Sequence, residues 1–254
     1  KWRSNLVFSM NRNKILKLFG DYEEIEVNGQ KVKREVPDYT NNWFPGRAID
    51  VIWDYKIKGI WQENEREEAA KYRLEPGDWK AEDVDQNGKY EALADKMFIG
   101  YKQPRYRIGF RNDFEFLKHF TASFFLRAEL GHKAPFGNAL HRSGADSYDK
   151  MNIWKFPYWT PENPINDYAR LTTNINVFGG GLMIYKSRSF VRLQDVSLSY
   201  AFPKSLLGLF GIESMDVYYS GHNLLYFSKW PAWDPESLMT PMPRTHIVGV
   251  RISL

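Results

Sequence analysis

The sequence of 254 residues contains no cysteine, which excludes disulfide scaffolds, thiolate zinc sites and cysteine nucleophiles. It also lacks a long apolar run. The longest stretch without a charged side chain, residues 171–185, includes threonine, asparagine and three glycines. A membrane-spanning helix needs about 20 apolar residues, so the sequence excludes a helical membrane protein. The mean hydropathy of −0.54 does not exclude membrane-spanning strands, because such strands alternate apolar and polar side chains.

An excess of charge of either sign is also missing. The chain carries 35 Lys and Arg against 31 Asp and Glu, a net charge of +4, and it has no basic cluster. We therefore expect no nucleic-acid partner. The first residues lack the apolar core of a signal peptide, and a strand pattern already begins at Trp2. These features predict that the chain is a C-terminal piece of a longer protein.

The strongest structural signal is alternation with a period of two residues. In residues 106–116 and 120–130, apolar side chains such as Phe110 alternate with charged ones such as Arg111. The short segment 117–119 between these runs predicts a long β-hairpin. Its strands match the roughly 9–11 residues that cross a bilayer at a tilt. Further alternating runs are predicted at residues 2–10, 189–202, 213–224 and 245–254.

Long irregular segments separate these runs. Residues 132–188 and 227–244 are rich in proline and aromatic side chains, whereas the connectors 117–119 and 203–212 are short. Short turns on the periplasmic side and long extracellular loops are typical of outer-membrane barrels. We therefore expect residues 132–188 and 227–244 to lie outside the cell and the two short connectors to lie on the periplasmic side. Two local elements are also expected: a helix at residues 62–72, and a small hairpin around the Asn-Gly step at positions 28 and 29.

Several short stretches of the sequence resemble those of one protein family, and they occur in the same order along the chain. They are residues 46–61, 68–71, 76–78, 83–88, 98–100, 190–207, 211–225, 233–236 (Trp-Asp-Pro-Glu) and 243–254. Together they resemble the SusC/RagA family of TonB-dependent outer-membrane transporters. The resemblance implies an all-β fold, in which residues 1–254 form the C-terminal portion of an antiparallel transmembrane barrel of about 22 strands. The plug domain and the N-terminus of such a protein would lie outside this chain.

The resemblance further implies a location and partners. The protein would reside in the outer membrane of a Gram-negative bacterium and import oligosaccharides or peptides. Its partners would be a SusD-like surface lipoprotein, the TonB complex and membrane lipid, and it would not be an enzyme. On the strand pattern, we expect Phe110, Phe124, Val196 and similar side chains to face lipid, with Arg107 and Arg127 on the opposite face.

Two other functions are compatible with a β-rich chain. A soluble β-sandwich or lectin-like carbohydrate-binding module would bury its apolar strand faces against a second sheet. A β-rich glycoside hydrolase would need two positioned carboxylates, which no motif in the sequence supports. Solubility without detergent would favour either of these over a membrane barrel.

One segment has the pattern of a calcium loop. Residues 83–88 (Asp-Val-Asp-Gln-Asn-Gly) reproduce the first half of an EF-hand-like loop, but position 12 would be Ala94, which cannot bind an ion. The residues expected to hold a structural calcium ion are Asp83, Asp85, Asn87, Lys89 through its carbonyl group, Glu91 and Asp95. The alternative is a turn in which the Asp and Asn side chains cap their own backbone.

Aromatic residues crowd two of the long segments. We predict that four of them contact substrate: Trp154, Tyr158, Trp159 and Trp233. Aromatic platforms bind sugars and peptides through stacking and apolar contact. The alternatives are packing within the loops and contact with a partner lid.

Overall fold

The protein is described by a computed structural model over residues 1–137, 157–179, 181–238 and 240–254. The chain divides into two compact units. Unit 1 comprises Lys1–Arg12, Gln103–Lys133 and Ser187–Leu254, and unit 2 comprises Asn13–Lys102 and Ala134–Lys186. No helix in the described ranges is long and apolar enough to cross a membrane.

The secondary structure is dominated by strands. In chain order they are β1 Trp2–Met10, β2 Tyr22–Val27, β3 Gln30–Glu35, β4 Val51–Tyr55, β5 Ile57–Ile60, β6 Trp79–Ala81, β7 Lys96–Tyr101, β8 Tyr106–Phe116, β9 Phe120–Leu130, β10 Lys133–Pro135, β11 Tyr185–Ser187, β12 Phe190–Ala201, β13 Ser214–Ser228 and β14 Thr245–Ser253. The helices are α1 Arg66–Lys71, α2 Ala92–Asp95 and α3 Lys204–Leu207, with 3₁₀ turns at Glu63–Glu65, Asn176–Phe178 and Gly208–Phe210.

Unit 1 is built on one six-stranded sheet in the order β1-β8-β9-β12-β13-β14. Every neighbouring pair is antiparallel. The strands are nine to fifteen residues long, so the predicted long strands are confirmed. The hairpin of β8 and β9 pairs Tyr106 with Leu130 at one end and Phe116 with Phe120 at the other.

The register places the predicted apolar side chains on one face of this sheet. Phe110 lies opposite Leu126, Val196 lies beside Phe124, and Val248 lies beside Tyr219. Five of the expected residues are exposed and the rest are half-buried: Phe110, Phe114, Phe116, Phe120, Phe124, Leu126, Val196, Leu198, Val248, Val250 and Ile252. The single-face alternation is therefore confirmed, and contact with lipid remains a prediction.

A β-bulge interrupts the regular alternation in β12. The pairing of this strand with both neighbours shifts between Leu193 and Asp195. The side chains of Gln194 and Asp195 consequently both lie on the polar face, where Gln194 meets Arg127 and Asp195 meets His222. On the other face, apolar residues continue on both sides of the bulge.

Unit 2 has shorter strands, of three to six residues in β2 to β7, arranged in two-stranded sheets. The predicted Asn-Gly hairpin is confirmed, since β2 and β3 meet at Asn28 and Gly29, both with positive φ. Around these sheets is an apolar interior that contains Ile52, Tyr55 and Trp79, each almost fully buried.

The predicted helix at residues 62–72 is present in a divided form. It starts as the 3₁₀ turn Glu63–Glu65 and continues as α1. A capping box links Gln62 and Glu65, which satisfies amide groups that the first turn leaves free.

Candidate functional site

The polar face of the six-stranded sheet carries a network of ion pairs. Arg127 lies between two acidic residues, 3.3 Å from Glu129 and in direct contact with Glu236. Glu129 also lies 3.5 Å from Arg107 on the neighbouring strand. These side chains follow from the alternation in β8 and β9, which turns every second residue towards this face. The polar face is therefore a charged surface whose hydrogen-bond donors and acceptors are held in position by ion pairs with neighbouring side chains.

The segment after β13 is bound to this face by a buried arginine. Arg192 on β12 is 1% exposed and donates a 2.7 Å hydrogen bond to Asp234, which is also 1% exposed. Its Nε atom lies 2.8 Å from Glu236. The guanidinium group also lies over the rings of Phe190 and Tyr226, at 5.5 and 5.3 Å from their centres. Two carboxylates and two aromatic rings thus compensate a charge that burial would otherwise destabilise.

Further contacts fix the backbone of the same segment. Arg188 donates hydrogen bonds to the carbonyl groups of Pro235 and Glu236, the latter over 2.6 Å. The hydroxyl group of Tyr226 donates to the carbonyl oxygen of Trp233 over 2.7 Å. Trp233 as a residue is 53% exposed. An exposed aromatic ring on an anchored backbone contacts a ligand with little loss of conformational entropy.

A serine, a histidine and an aspartate also line up on the polar face. His222 Nδ1 lies 2.5 Å from Asp195, and Nε2 lies 3.5 Å from Ser220 Oγ. This is the atom order of a Ser-His-Asp triad. Nucleophilic catalysis also requires donors for an oxyanion, and the backbone amides of β12 and β13 are used in pairing the two strands. The three side chains therefore fit a polar binding surface better than a site of nucleophilic catalysis.

In unit 2, the predicted calcium loop brings three carboxylates together. Oxygen atoms of Asp83, Asp85 and Asp95 lie within 4.8 Å of one another. Asp95 is completely buried and accepts backbone amides at 2.8 and 2.7 Å from Val84 and Glu91. Three of the expected ligands thus lie close together: Asp83 and Asp85 within the loop pattern, and Asp95 one residue beyond its position 12.

The same oxygens also cap the backbone, as the alternative interpretation predicts. Asp83 accepts hydrogen bonds from the amides of Gln86 and Gly88 and from the hydroxyl group of Tyr72, at 2.7 to 2.9 Å. Burial raises the pKa of Asp83, but these hydrogen bonds outweigh it and hold that pKa below its ordinary value. The loop therefore holds an ionised carboxylate with or without a metal, and calcium remains a prediction.

The remaining expected ligands lie at the edge of this loop. Asn87 accepts from the amide of Lys89 over 2.8 Å and donates to Glu91 over 3.3 Å. Its side-chain oxygen is therefore already engaged with the backbone. The carbonyl group of Lys89 and the carboxylate of Glu91 remain expected ligands that these contacts do not test.

The four predicted aromatic contacts differ in position. Trp154 lies outside the described residues. Tyr158 is partly exposed, as is Trp233. Trp159 is only 5% exposed, and its indole N–H donates to Gln62 over 3.0 Å. Trp159 thus packs within unit 2 and offers no open ring face, because its surface is covered by neighbours such as Gly77.

Sequence reasoning did not assign a role to Arg192 or Asp234. The two residues are separated by 42 positions, and alternation alone does not show which loop returns to which strand. The local signal is the Trp-Asp-Pro-Glu stretch at residues 233–236, which is part of the family resemblance but does not show which strand the segment contacts.

Comparison with curated proteins finds two relatives in Formosa agariphila. TonB-dependent receptor P3 is 30% identical over 251 residues, and TonB-dependent receptor P26 is 27% identical over 242 residues. The matches cover 93% and 92% of this chain, and 23% of each relative. The chain thus spans about a quarter of the length of the curated relatives it matches. No family model matches the sequence.

Comparison with solved structures finds proteins that contain the fold of this chain. The chain is similar to part of the RagAB peptide transporter, with a TM-score of 0.67 and 18% identity, over 99% of this chain and 27% of that one. The RagAB peptide importer in the open-open state gives a TM-score of 0.64 at the same identity, over 100% of this chain and 26% of that one. The fold is therefore that of a portion of a transporter barrel, as the sequence predicted.

Proposed function

We infer function from the premise that this chain belongs to the TonB-dependent receptors of the SusC/RagA type. We propose that it forms part of the wall of an outer-membrane transport barrel. The whole protein would import a nutrient, with energy delivered from the inner membrane through TonB. In this arrangement the chain acts by binding and passage, without chemical change of the substrate.

The observation that carries this proposal is the two-faced sheet of unit 1. Side chains such as Phe124 and Val196 make one face apolar, while Arg107 and Arg127 make the other charged. A barrel in a membrane needs this division, because lipid contacts the outer face and water or substrate contacts the inner one. In a soluble sandwich, a second sheet would instead have to cover the apolar face.

For the partner, we propose a SusD-like surface lipoprotein. The solved relatives are described as the RagAB peptide transporter, and 18% identity supports a shared fold without fixing the cargo. We therefore propose oligosaccharides or peptides as cargo. Trp233, anchored beside the ion pairs of the polar face, is an exposed aromatic residue that could contact it there.

The test of transport is uptake by living cells. Bacteria that carry the full-length receptor should accumulate fluorescent oligosaccharides or peptides, and cells without the receptor or without TonB should not. Equal uptake in all three strains would contradict the proposal. Extraction of the receptor from outer membranes without detergent would also contradict it, in favour of a soluble module.

The partner is tested separately by purification from the same cells. An affinity tag on the receptor should recover a lipoprotein encoded beside it, at a stoichiometry near one to one. A receptor that is recovered alone from gently solubilised membranes, yet still transports, would reject the lipoprotein and retain the import function.

A further inference from the structure

We propose that unit 2 carries a binding cleft for acidic oligosaccharides, meaning sugars that bear carboxylate or sulfate groups. The inference rests on the proposed import function and adds a substrate class to it. The cleft has a volume of about 790 Å³. This value lies within the range of roughly 300–1,000 Å³ that small-ligand sites occupy. Its walls come from the end of α1, the loop after β6 and the 3₁₀ turn Asn176–Phe178 with Gly179.

A stack of three aromatic rings supports this cleft. The ring centres of Tyr72 and Tyr90 lie 4.8 Å apart, and those of Tyr90 and Phe178 lie 4.7 Å apart, with both pairs stacked. The Tyr72 hydroxyl group is held by its 2.9 Å hydrogen bond to Asp83. Tyr72 and Tyr90 both line the cleft. Tyr90 is 5% exposed and lies between the rings of Tyr72 and Phe178, so the stack gives the cleft a rigid wall and not an open ring face.

The walls of the cleft supply side-chain hydrogen-bond donors. Within the described parts of the chain, the side chains of Arg73, Gln86 and Lys89 have no hydrogen-bond or ion-pair partner, although all three line the cleft. Glu91 also lines it and accepts from the side chain of Asn87 over 3.3 Å. The cleft therefore has two unpaired cationic side chains and one unpaired amide, whereas its carboxylate is already hydrogen-bonded to Asn87. This balance favours a ligand that is rich in oxygen and negatively charged.

The backbone at Arg73 points to the same role. Helix α1 ends in a Schellman motif, in which the amides of Arg73 and Leu74 donate to the carbonyl groups of Ala70 and Ala69, each over 3.0 Å. Arg73 occupies the left-handed position of this motif, with φ of 58°, where glycine is favoured. The chain thus places a cation at a position where it costs stability, and among the described residues its side chain has no hydrogen-bond or ion-pair partner. Ligand binding accounts for both facts.

The composition of the cleft favours sugars over peptides. Among the described residues that line it, Val177 is the one aliphatic side chain. Peptide sites usually combine backbone pairing with apolar pockets for side chains. Hydroxyl groups of a sugar instead pair with amide side chains such as Gln86 and Asn176, while its carboxylate or sulfate group pairs with Arg73 and Lys89.

The experiment measures binding by calorimetry to the full-length receptor purified in detergent. The probes are tetragalacturonate, a sulfated chondroitin tetrasaccharide, neutral cellotetraose and tetraglutamate. We expect one or both acidic sugars to bind, with affinity that falls as sodium chloride is added. The double variant Arg73→Gly with Lys89→Gln should lower that affinity by about 10- to 100-fold, because each lost contact involves a charged group.

Two controls separate binding from folding. Arg73→Gly alone should leave the melting temperature equal to or above that of the wild type, because glycine adopts the left-handed conformation of this position without steric strain. Arg66→Gln on the same helix should leave affinity unchanged, because Arg66 pairs with Glu63 over 2.7 Å and does not line the cleft. Loss of binding without loss of stability supports the cleft, whereas a fall in melting temperature in step with affinity overturns it.

The remaining outcomes distinguish this proposal from the import function. No binding of either acidic sugar, equal affinity in the double variant, or tetraglutamate binding as tightly as the sugars would overturn the cleft. None of these results would affect uptake of other cargo by the receptor. Conversely, failure of all TonB-dependent uptake would overturn the import function and leave a measured sugar site in place.

Discussion

The two units of this chain bury different kinds of side chain. Unit 2 has an interior of aromatic and aliphatic residues such as Tyr55, Trp79 and Phe178. In unit 1, the almost fully buried side chains include a charged pair, Arg192 and Asp234. Its apolar side chains are mostly exposed or half-buried along one face of the sheet.

We attribute this difference to different surroundings of the two units. Unit 2 follows the rule for proteins in water, in which apolar side chains leave the solvent and form a core. The sheet of unit 1 has its apolar residues on an uncovered face. Under the proposed function, the bilayer covers that face, so the membrane supplies for unit 1 what a packed core supplies for unit 2.

The largest effect is expected in the core of unit 2. Trp79→Ala removes an indole ring that is 1% exposed and should cost about 3–5 kcal/mol, because the neighbours cannot fill the space. Hydrogen exchange on the full-length receptor should show faster exchange of unit 2 amides. Leu93→Ala, at an exposed position in the same unit, is the control and should change little. Equal protection in both variants would contradict a water-type core.

The next largest effect concerns the buried ion pair of unit 1. Arg192→Leu leaves Asp234 and Glu236 without their cation and should cost about 3–5 kcal/mol. Protease added to intact cells should then cut the segment after β13 faster. Arg111→Leu is the matched control on the same face, since its pair with Asp113 is exposed and is worth about 0–1 kcal/mol. Similar cutting in both variants would show that the buried pair does not hold the segment.

A substitution on the apolar face tests the role of lipid directly. Val196→Arg should cost about 2–4 kcal/mol in denaturant unfolding from lipid vesicles, because a charge at the membrane centre loses its hydration. Ser197→Arg, one residue along β12 on the polar face, should cost far less. If the two variants are equally stable, the apolar face does not contact lipid and the comparison between the units fails.

The smallest effect is expected from calcium. If the loop at Asp83 and Asp95 binds the ion with the millimolar affinity of extracellular modules, calcium at ten times the dissociation constant should stabilise the receptor by about 1.4 kcal/mol. A thermal unfolding series with added calcium measures this shift. Asp85→Asn should abolish it, because Asp85 is exposed and contributes one of the three grouped carboxylates. No shift in the wild type would leave the loop as a capped turn.

Sequence patterns predicted the sheet of unit 1 well because alternation reports directly on strands with two different faces. The strands β8 and β9 coincide with the predicted runs at residues 106–116 and 120–130. In unit 2, β4 was not predicted from alternation. Four of its five residues are buried, which removes the contrast between faces.

The sites were harder to predict, because they depend on contacts between distant positions. Asp83 and Asp85 follow from a local loop pattern, and the structure does bring them together. The contact of Arg192 with Asp234 and the left-handed backbone of Arg73 have no local signature. Trp159 has the same residue type as Trp233, yet only the fold determines that one is covered and the other exposed.

The bulge in β12 has a consequence for how such strands tolerate insertions and deletions. In a regular strand, one inserted residue reverses the faces of everything beyond it. Relative to β9, strand β12 has one extra residue at Gln194, so Leu193 and Val196 keep the same face although an odd number of steps separates them. Deleting Gln194 would leave a strictly alternating strand with its apolar face intact. Alignments of strands related to β12 should therefore place single-residue gaps at this point of the strand.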